Sequence, residues 1–294
     1  LVVAVGSGAA IDVAKLLRVR ATQDVALADL DGDGAARITG PLPPLLAVPT
    51  TAGSGAEVSA LASVILEHDH QRRRIVVGAP ALLPTLAVLD PRLTIPQAPE
   101  YTAAAGFEAL TQCVEAACSP ALHPMADAIA LEGIALVAQH LERAVREPRD
   151  LAARAAMLQA AMMGGVAAQK GLGATQALAH ALATERDLPL GTAAAACLPA
   201  VLDFNRTAAL VPVAHVGRIL GARGDDLETL AFEASGAVRA LRKRCHLPAG
   251  LAELHVEPGA LARLAAVAAS DPAHLDNPRP CDTGDFLTLL DASL

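Results

Sequence analysis

Aromatic side chains are nearly missing. They make up 2% of the 294 residues, with no Trp and a single Tyr. An interior built on large rings is excluded, so the core must be assembled from Ala, Leu and Val. Small side chains let helices approach closely, which favours a helix-rich fold. Lysine is scarce too: three Lys stand against twenty Arg, an imbalance that reflects genome composition more than chemistry. No long basic run occurs and the net charge is −8, so a nucleic-acid surface is not expected. Arg72-Arg73-Arg74 reads as a solvated turn or a local phosphate contact. Cysteine pairs are missing as well. The five Cys, at 113, 118, 197, 245 and 281, are odd in number and form no CxxC. They read as reduced, buried thiols of a cytoplasmic protein, not as a disulfide framework. No uninterrupted apolar run reaches 18 residues and nothing resembles a signal peptide, so neither a membrane span nor secretion is expected. The first residue is Leu1, inside an apolar run, from which a truncated chain is expected.

What is present is 53% hydrophobic, enough for one large packed domain or two ordinary ones. Leu1-Val2-Val3-Ala4-Val5, Leu45-Leu46-Ala47-Val48 and Leu86-Ala87-Val88-Leu89 are short apolar runs suited to strands of a parallel sheet buried on both faces. The first runs into Gly6-Ser7-Gly8-Ala9-Ala10 and then a helical pattern from Ile11 to Leu17. Strand, small-residue turn and helix are expected to recur, which is α/β layering. Beyond Pro96 and Pro99 the texture turns Ala- and Leu-rich. Helices are predicted over 100–118, 124–146, 150–169, 171–184, 191–208, 208–221, 226–245 and 258–270. The expected organisation is an α/β domain over 1–97 and an all-helical domain over 98–294.

A strand leading through a glycine turn into a helix N-terminus presents outward N–H groups and partial positive charge, an anion site. Gly6, Ser7, Gly8, Ala9 and Asp12 are the candidate residues there. The segment Gly6 to Lys15 resembles the GGGSxxDxAK stretch of the iron-containing alcohol dehydrogenases, with Ser7 and Ala9 in place of a Gly and the Ser. Pro49-Thr50-Thr51-Ala52-Gly53-Ser54-Gly55-Ala56-Glu57-Val58 is similar to that family's PTTAGTGSEV, with eight of ten positions identical. Leu82-Leu83-Pro84 through Asp90-Pro91 and Asn277-Pro278-Arg279 also fit the family pattern. The resemblance runs along essentially the whole chain and lacks only the family's first βα units.

The resemblance implies a dehydroquinate synthase-like architecture. Its first part is a Rossmann-like nucleotide-binding domain, expected to be truncated; its second is helical, with the cleft between them. It implies NAD or NADP as cofactor, with contacts from Gly6, Ser7, Gly8, Ala9, Asp12, Thr50, Thr51, Ser54 and Arg74. Arg74 stands ten residues before Pro84, where the family usually has a Lys. It also implies four metal-ligand positions, normally Asp and three His. Here they are Glu108, Gln112, Gln176 and Leu190. One carboxylate, two neutral amides and an alkyl chain are a poor cage for Fe(II) or Zn(II), and a bound metal is not expected.

The expected function is a nicotinamide-dependent oxidoreductase acting on a small alcohol, aldehyde or ketone, with Glu108, Gln112, Gln176 and His180 as candidate catalytic residues. Gln112 and Gln176 would donate to the carbonyl oxygen, unless they bond each other and fill the vacated hole. His180, four residues after Gln176, would supply the proton. Lys170 is a candidate for an anionic substrate group. His274, before Asn277, is a weaker candidate; His68 and His70 sit in a charged turn. The alternative is a catalytically decayed paralogue that binds nucleotide or serves assembly. A homodimer is expected.

Overall fold

The computed structural model describes residues 1–68 and 71–294. Strand β1, Val2–Gly6, pairs in parallel with β2, Leu45–Pro49, with Val2 opposite Leu45 and Gly6 opposite Pro49. β2 in turn pairs in parallel with the short β5, Leu86–Ala87. Helix α1, Gly8–Thr22, packs Ile11 and Ala14 on this sheet against Ala4, Leu45 and Ala47. This much is the predicted layering, but the sheet is not buried on both faces: Val3 and Val5 of β1 and Leu86 of β5 are exposed.

The recurrence stops after β2. Thr50 to Gly55 leads into a single 3₁₀ turn, Ala56–Val58, instead of a helix. An antiparallel hairpin follows, β3 Leu61–His68 and β4 Gln71–Gly78. The sequence reading missed it because the outer half of β4 is charged, Arg72-Arg73-Arg74. Only Ile75 and Val77 show the alternation of a half-buried strand, and they pack with Ala62 on Leu16, Val19 and Leu82. The three arginines therefore lie on a strand and not in a turn. Arg72 pairs with Asp187 at 2.6 Å, Arg73 pairs with Asp31, and Arg74 donates to Ser63 Oγ at 2.6 Å. His70 lies outside the described residues.

From Pro99 onward the chain is helical. α2 is Pro99–Cys118, α3 Pro124–Arg146, α4 Leu151–Ala167 and α5 Ala174–Arg186. α6 is Leu190–Asn205, α7 Leu210–Ile219, α8 Leu227–Arg244 and α9 Leu261–Ser270. The predicted spans coincide with these to within a few residues. A last helix, α10 Thr283–Asp291, was missed although Asp282 and Asp285 form a capping box at its start. Helix α2 is the central post, wrapped by α3, α4 and α6. From Thr102 to Ser119 every residue of it is buried except Glu108, which opens onto the cavity described below. The stretch Leu151–Lys170 is long and apolar enough to cross a membrane, yet more than half of it is buried inside the fold, against α2 and α3.

With so few large side chains, close backbone approach replaces bulk. Gly55 and Gly165 meet backbone to backbone, so α4 presses directly on the Thr50–Gly55 loop. Gly55 also adopts φ 62°, which a side chain would resist. A Cβ built on Gly191 would overlap the carbonyl oxygen of Ala104, so α6 starts in contact with α2. Both contacts border the candidate site.

Candidate active site

A cavity of about 1100 Å³ lies between the α/β part and the helices. On one side it is lined by Ser7, Gly8, Ala9 and Asp12, by Thr51 and Ser54, and by Arg74 of β4. Helix α1 begins here without a side-chain cap on Ser7. The N–H groups of Gly8, Ala9 and Ala10 have no acceptor within their helix. Gly8 is locked against Ser54, whose Oγ a Cβ at position 8 would overlap. Open N–H groups, a helix N-terminus and a neighbouring pair of hydroxyls fit a phosphate-bearing cofactor. Of the other sequence candidates, Gly6 and Thr50 do not line the cavity. They face each other behind it, the Thr50 N–H donating to Gly6 O at 2.9 Å.

On the helical side the lining includes Glu108, Gln112, Gln176, His180, Leu190 and Gly191. The four positions that match the family's metal ligands thus share one cavity with His180. The two amides do not bond each other. Gln112 Nε2 donates to Ser54 O at 3.1 Å, tying α2 to the cradle loop. Gln176 Nε2 lies 3.1 Å from His180 Nε2, one turn along α5. Leu190 contributes only carbon, and among the described residues no three His, Cys, Asp or Glu side chains cluster closely enough to hold an ion. One carboxylate with two neutral amides does not fit the imidazole and carboxylate set that Fe(II) or Zn(II) requires.

The sequence reading missed Asp271. It follows α9, lines the cavity, and its Oδ2 is 2.7 Å from His180 Nδ1. Its other oxygen accepts the Ala273 N–H at 2.8 Å. Burial works to raise this carboxyl, but the hydrogen bond and charge of His180 and the Arg74 guanidinium bring it below its ordinary value. The only sequence signal was Asp-Pro at a helix end, which reads as a turn.

Charge around the cavity is mostly acidic. Burial pushes Glu108 up to about 7; Asp12 adds to this, Arg74 opposes it, and Glu57 adds further. Burial also pushes Asp12 up to about 6 against the opposing charge of Lys15, which itself is brought down to about 8 by burial. Arg74 is lowered by burial, with Asp271, Asp12 and Glu108 sustaining its charge. Its Nε is buried without a hydrogen-bond partner among the described residues. Lys170 does not reach the cavity; its ammonium pairs with Asp127. His274 is packed edge-on against Phe286 and bonds Ala269 O, also outside the lining. Asn277-Pro278-Arg279 proves to be a brace under α5. Asn277 Oδ1 accepts the Ala174 N–H at 3.2 Å, its amide exchanges hydrogen bonds with Asn205, and Arg279 stacks on Phe204 at 3.8 Å. Glu115 completes the brace by accepting the N–H groups of Gly173 at 2.9 Å and Thr175 at 2.6 Å.

Comparison with known proteins covers both halves. The family described as "Iron-containing alcohol dehydrogenase" matches residues 1–91, and "Fe-containing alcohol dehydrogenase family, C-terminal" matches residues 102–294. The 4-hydroxybutyrate dehydrogenase of Cupriavidus necator is 37% identical over 99% of this chain and 77% of the relative. The crystal structure of a 1,3-propanediol oxidoreductase superposes with a TM-score of 0.93 at 31% identity, covering 100% of this chain and 77% of that one. The sulfoacetaldehyde reductase of Bifidobacterium kashiwanohense, solved in complex with NAD+, gives 0.83 at 27% identity over 99% of this chain and 75% of that one. With the fold shared along its length and both family matches in order, the chain belongs to the iron-containing alcohol dehydrogenase family and is an alcohol oxidoreductase.

Proposed function

We propose that the protein interconverts a small alcohol and its aldehyde or ketone with NAD or NADP and without a catalytic transition metal. The observation that carries this reading is the placement of His180 and two glutamine amides in the same cavity as an uncapped helix N-terminus. When bound, the nicotinamide supplies or takes the hydride at the carbonyl carbon. The N–H groups of Gly8, Ala9 and Ala10 would hold the pyrophosphate, with Thr51, Ser54 and Arg74 nearby.

In the reducing direction the substrate oxygen gains negative charge as the carbon gains the hydride. A family metal would stabilise that charge as a Lewis acid. Here the N–H bonds that Gln112 and Gln176 do not spend on Ser54 and His180 take that place, as neutral dipoles at the cavity wall. Single donors of this kind contribute about 3–4 kcal/mol to a transition state. His180 Nε2 delivers the proton to the oxygen and is left neutral; in the oxidising direction it accepts the proton. Glu108 carries its own proton below about pH 7, which keeps a further negative charge away from the developing alkoxide.

Arg74 is the single Lys or Arg side chain among the described residues lining the cavity, and it is engaged by Ser63 and surrounded by acids. The surroundings therefore suit neutral substrates better than anionic ones. Cytoplasmic placement and a homodimer remain part of the proposal. The five cysteines are unpaired, and burial raises the four most enclosed to about 12, as befits inert thiols in a reducing compartment.

The test is nicotinamide fluorescence with NADH and NADPH, followed by turnover on a panel of short aldehydes with and without chelator. Binding of one cofactor and chelator-insensitive turnover are expected. Turnover abolished by chelator and restored by iron or zinc would refute the metal-free reading, and failure to bind either cofactor would refute the whole.

A further inference from the structure

We infer that Asp271 is a positioning residue that fixes the tautomer of His180 and so decides which ring nitrogen exchanges the proton with substrate. The inference rests on the role given to His180 above.

The geometry is a chain of three side chains. Asp271 Oδ2 lies 2.7 Å from His180 Nδ1, and His180 Nε2 lies 3.1 Å from Gln176 Nε2. A carboxylate that faces Nδ1 can only accept, so Nδ1 carries hydrogen. In the neutral ring, Nε2 is then a bare acceptor, which matches the Gln176 amide N–H directed at it. When the ring is protonated, Nε2 also becomes a donor, and a half-turn of the amide offers Gln176 Oε1 instead. Gln176 thus accommodates both protonation states, which an imidazole bound to metal at that position would not. The exchanging nitrogen is the one on the Gln176 side, in the cavity.

Asp271 is suited to this because it serves two donors at once. One oxygen holds His180, and the other accepts the Ala273 N–H at 2.8 Å, closing the 3₁₀ turn Pro272–Asp276. An asparagine has a single oxygen. If it keeps the turn, its NH2 faces His180 Nδ1 and forces that nitrogen bare, moving the hydrogen to Nε2. Keeping His180 instead would leave the Ala273 N–H without its acceptor, so the first arrangement is the one the inference predicts. Asp271→Asn therefore separates a structural role from a tautomeric one. The same logic of a buried carboxylate orienting an imidazole is known in hydrolytic triads, where the asparagine exchange is costly because the tautomer is wrong.

The experiment compares Asp271→Asn, Asp271→Ala, His180→Gln and the Asp271→Ala/His180→Gln double variant in the full protein with its cofactor. For Asp271→Asn, kcat should fall by roughly 10²-fold or more, with KM and cofactor affinity within about twofold. Nitrogen NMR with labelled histidine should show His180 protonated at Nδ1 in the parent and at Nε2 in the variant. In the His180→Gln background, Asp271→Ala should cost nothing further. Asp271→Asn with parental kcat, or with an unchanged His180 tautomer, would overturn the inference. A further loss in the double variant would do so as well, because the effect would not pass through His180. A fully active His180→Gln would sink the proton-donor reading, and the inference with it. An inactive His180→Gln beside a fully active Asp271→Asn would sink the inference alone.

Discussion

Helix α2 carries two enclosed glutamates seven residues apart, and they live in opposite circumstances. Burial pushes both up to about 7. Glu115 sits under α5 and accepts backbone N–H groups of Gly173, Thr175 and Gln176. Asn277 and Asn205 close the ring of partners beside it. Glu108, two turns earlier, faces the cavity, and no hydrogen bond among the described residues reaches its carboxylate. Its neighbours are two more acids and Arg74. The floor under α5 is close to saturated: its backbone N–H groups have acceptors in the chain, although the buried Thr175 Oγ1 has no partner among the described residues. The cavity wall has open valences. Buried polar groups left open in a cavity are where a protein spends stability on binding, so the same residue type is structural at one end of a helix and available to chemistry at the other.

The comparison is broken most severely at the saturated end. Glu115→Ala would leave several backbone N–H groups at the start of α5 buried and unpaired. At about 1–3 kcal/mol for each lost partner, urea unfolding should show a loss of roughly 3–5 kcal/mol, with His180 and Gln176 displaced and activity lost. Glu108→Ala should cost less than about 1 kcal/mol by the same measurement. Equal losses for the two would erase the distinction. Next in size is Gly191→Ala. Its new methyl must push α6 off the Ala104 carbonyl, at a cost of about 1–3 kcal/mol, and the shift carries Leu190 with it. A lowered midpoint in thermal unfolding together with a raised KM is expected.

The saturated region was the more legible of the two. Predicted helix spans held because apolar residues recur at helical spacing and Pro99, Asp150 and Asp226 mark starts that the fold uses. The hairpin was hidden by its arginines, and α10 was passed over although its capping box was written in Asp282 and Asp285. In the cavity, motif order brought Glu108, Gln112, Gln176, His180 and Leu190 to notice. It could not assign partners: Gln112 found a backbone carbonyl, and Gln176 found His180. Asp271 stayed invisible because its contact with His180 spans 91 residues and leaves no periodic trace. Asn277 was noticed only as part of a family motif, and its role in the brace under α5 needed the fold.

A finer probe is pH. Because Glu108 is raised in the folded state, folding binds its proton more tightly than the unfolded chain does. The stability this contributes is full below about pH 4.5 and is lost as pH rises through about 7. Glu108→Gln removes the titration. The variant should match the parent at pH 5 and exceed it by about 1–2 kcal/mol at pH 8, read by urea unfolding at both values. A difference of the opposite sign would mean that Arg74 outweighs burial and holds Glu108 ionised.

The smallest effect concerns Lys170, the cation that sequence offered for an anionic substrate. Its ammonium is buried against Asp127, in the first turn of α3, and does not line the cavity. Lys170→Met should therefore leave kcat/KM within about twofold for a neutral aldehyde and for a carboxylated one of equal length. Arg74→Met, which removes the cation that does line the cavity, should instead weaken cofactor binding for both. If Lys170→Met penalised the carboxylated aldehyde alone, the cavity would extend to that ammonium in the working enzyme, and the preference for neutral substrates inferred from its lining would be wrong.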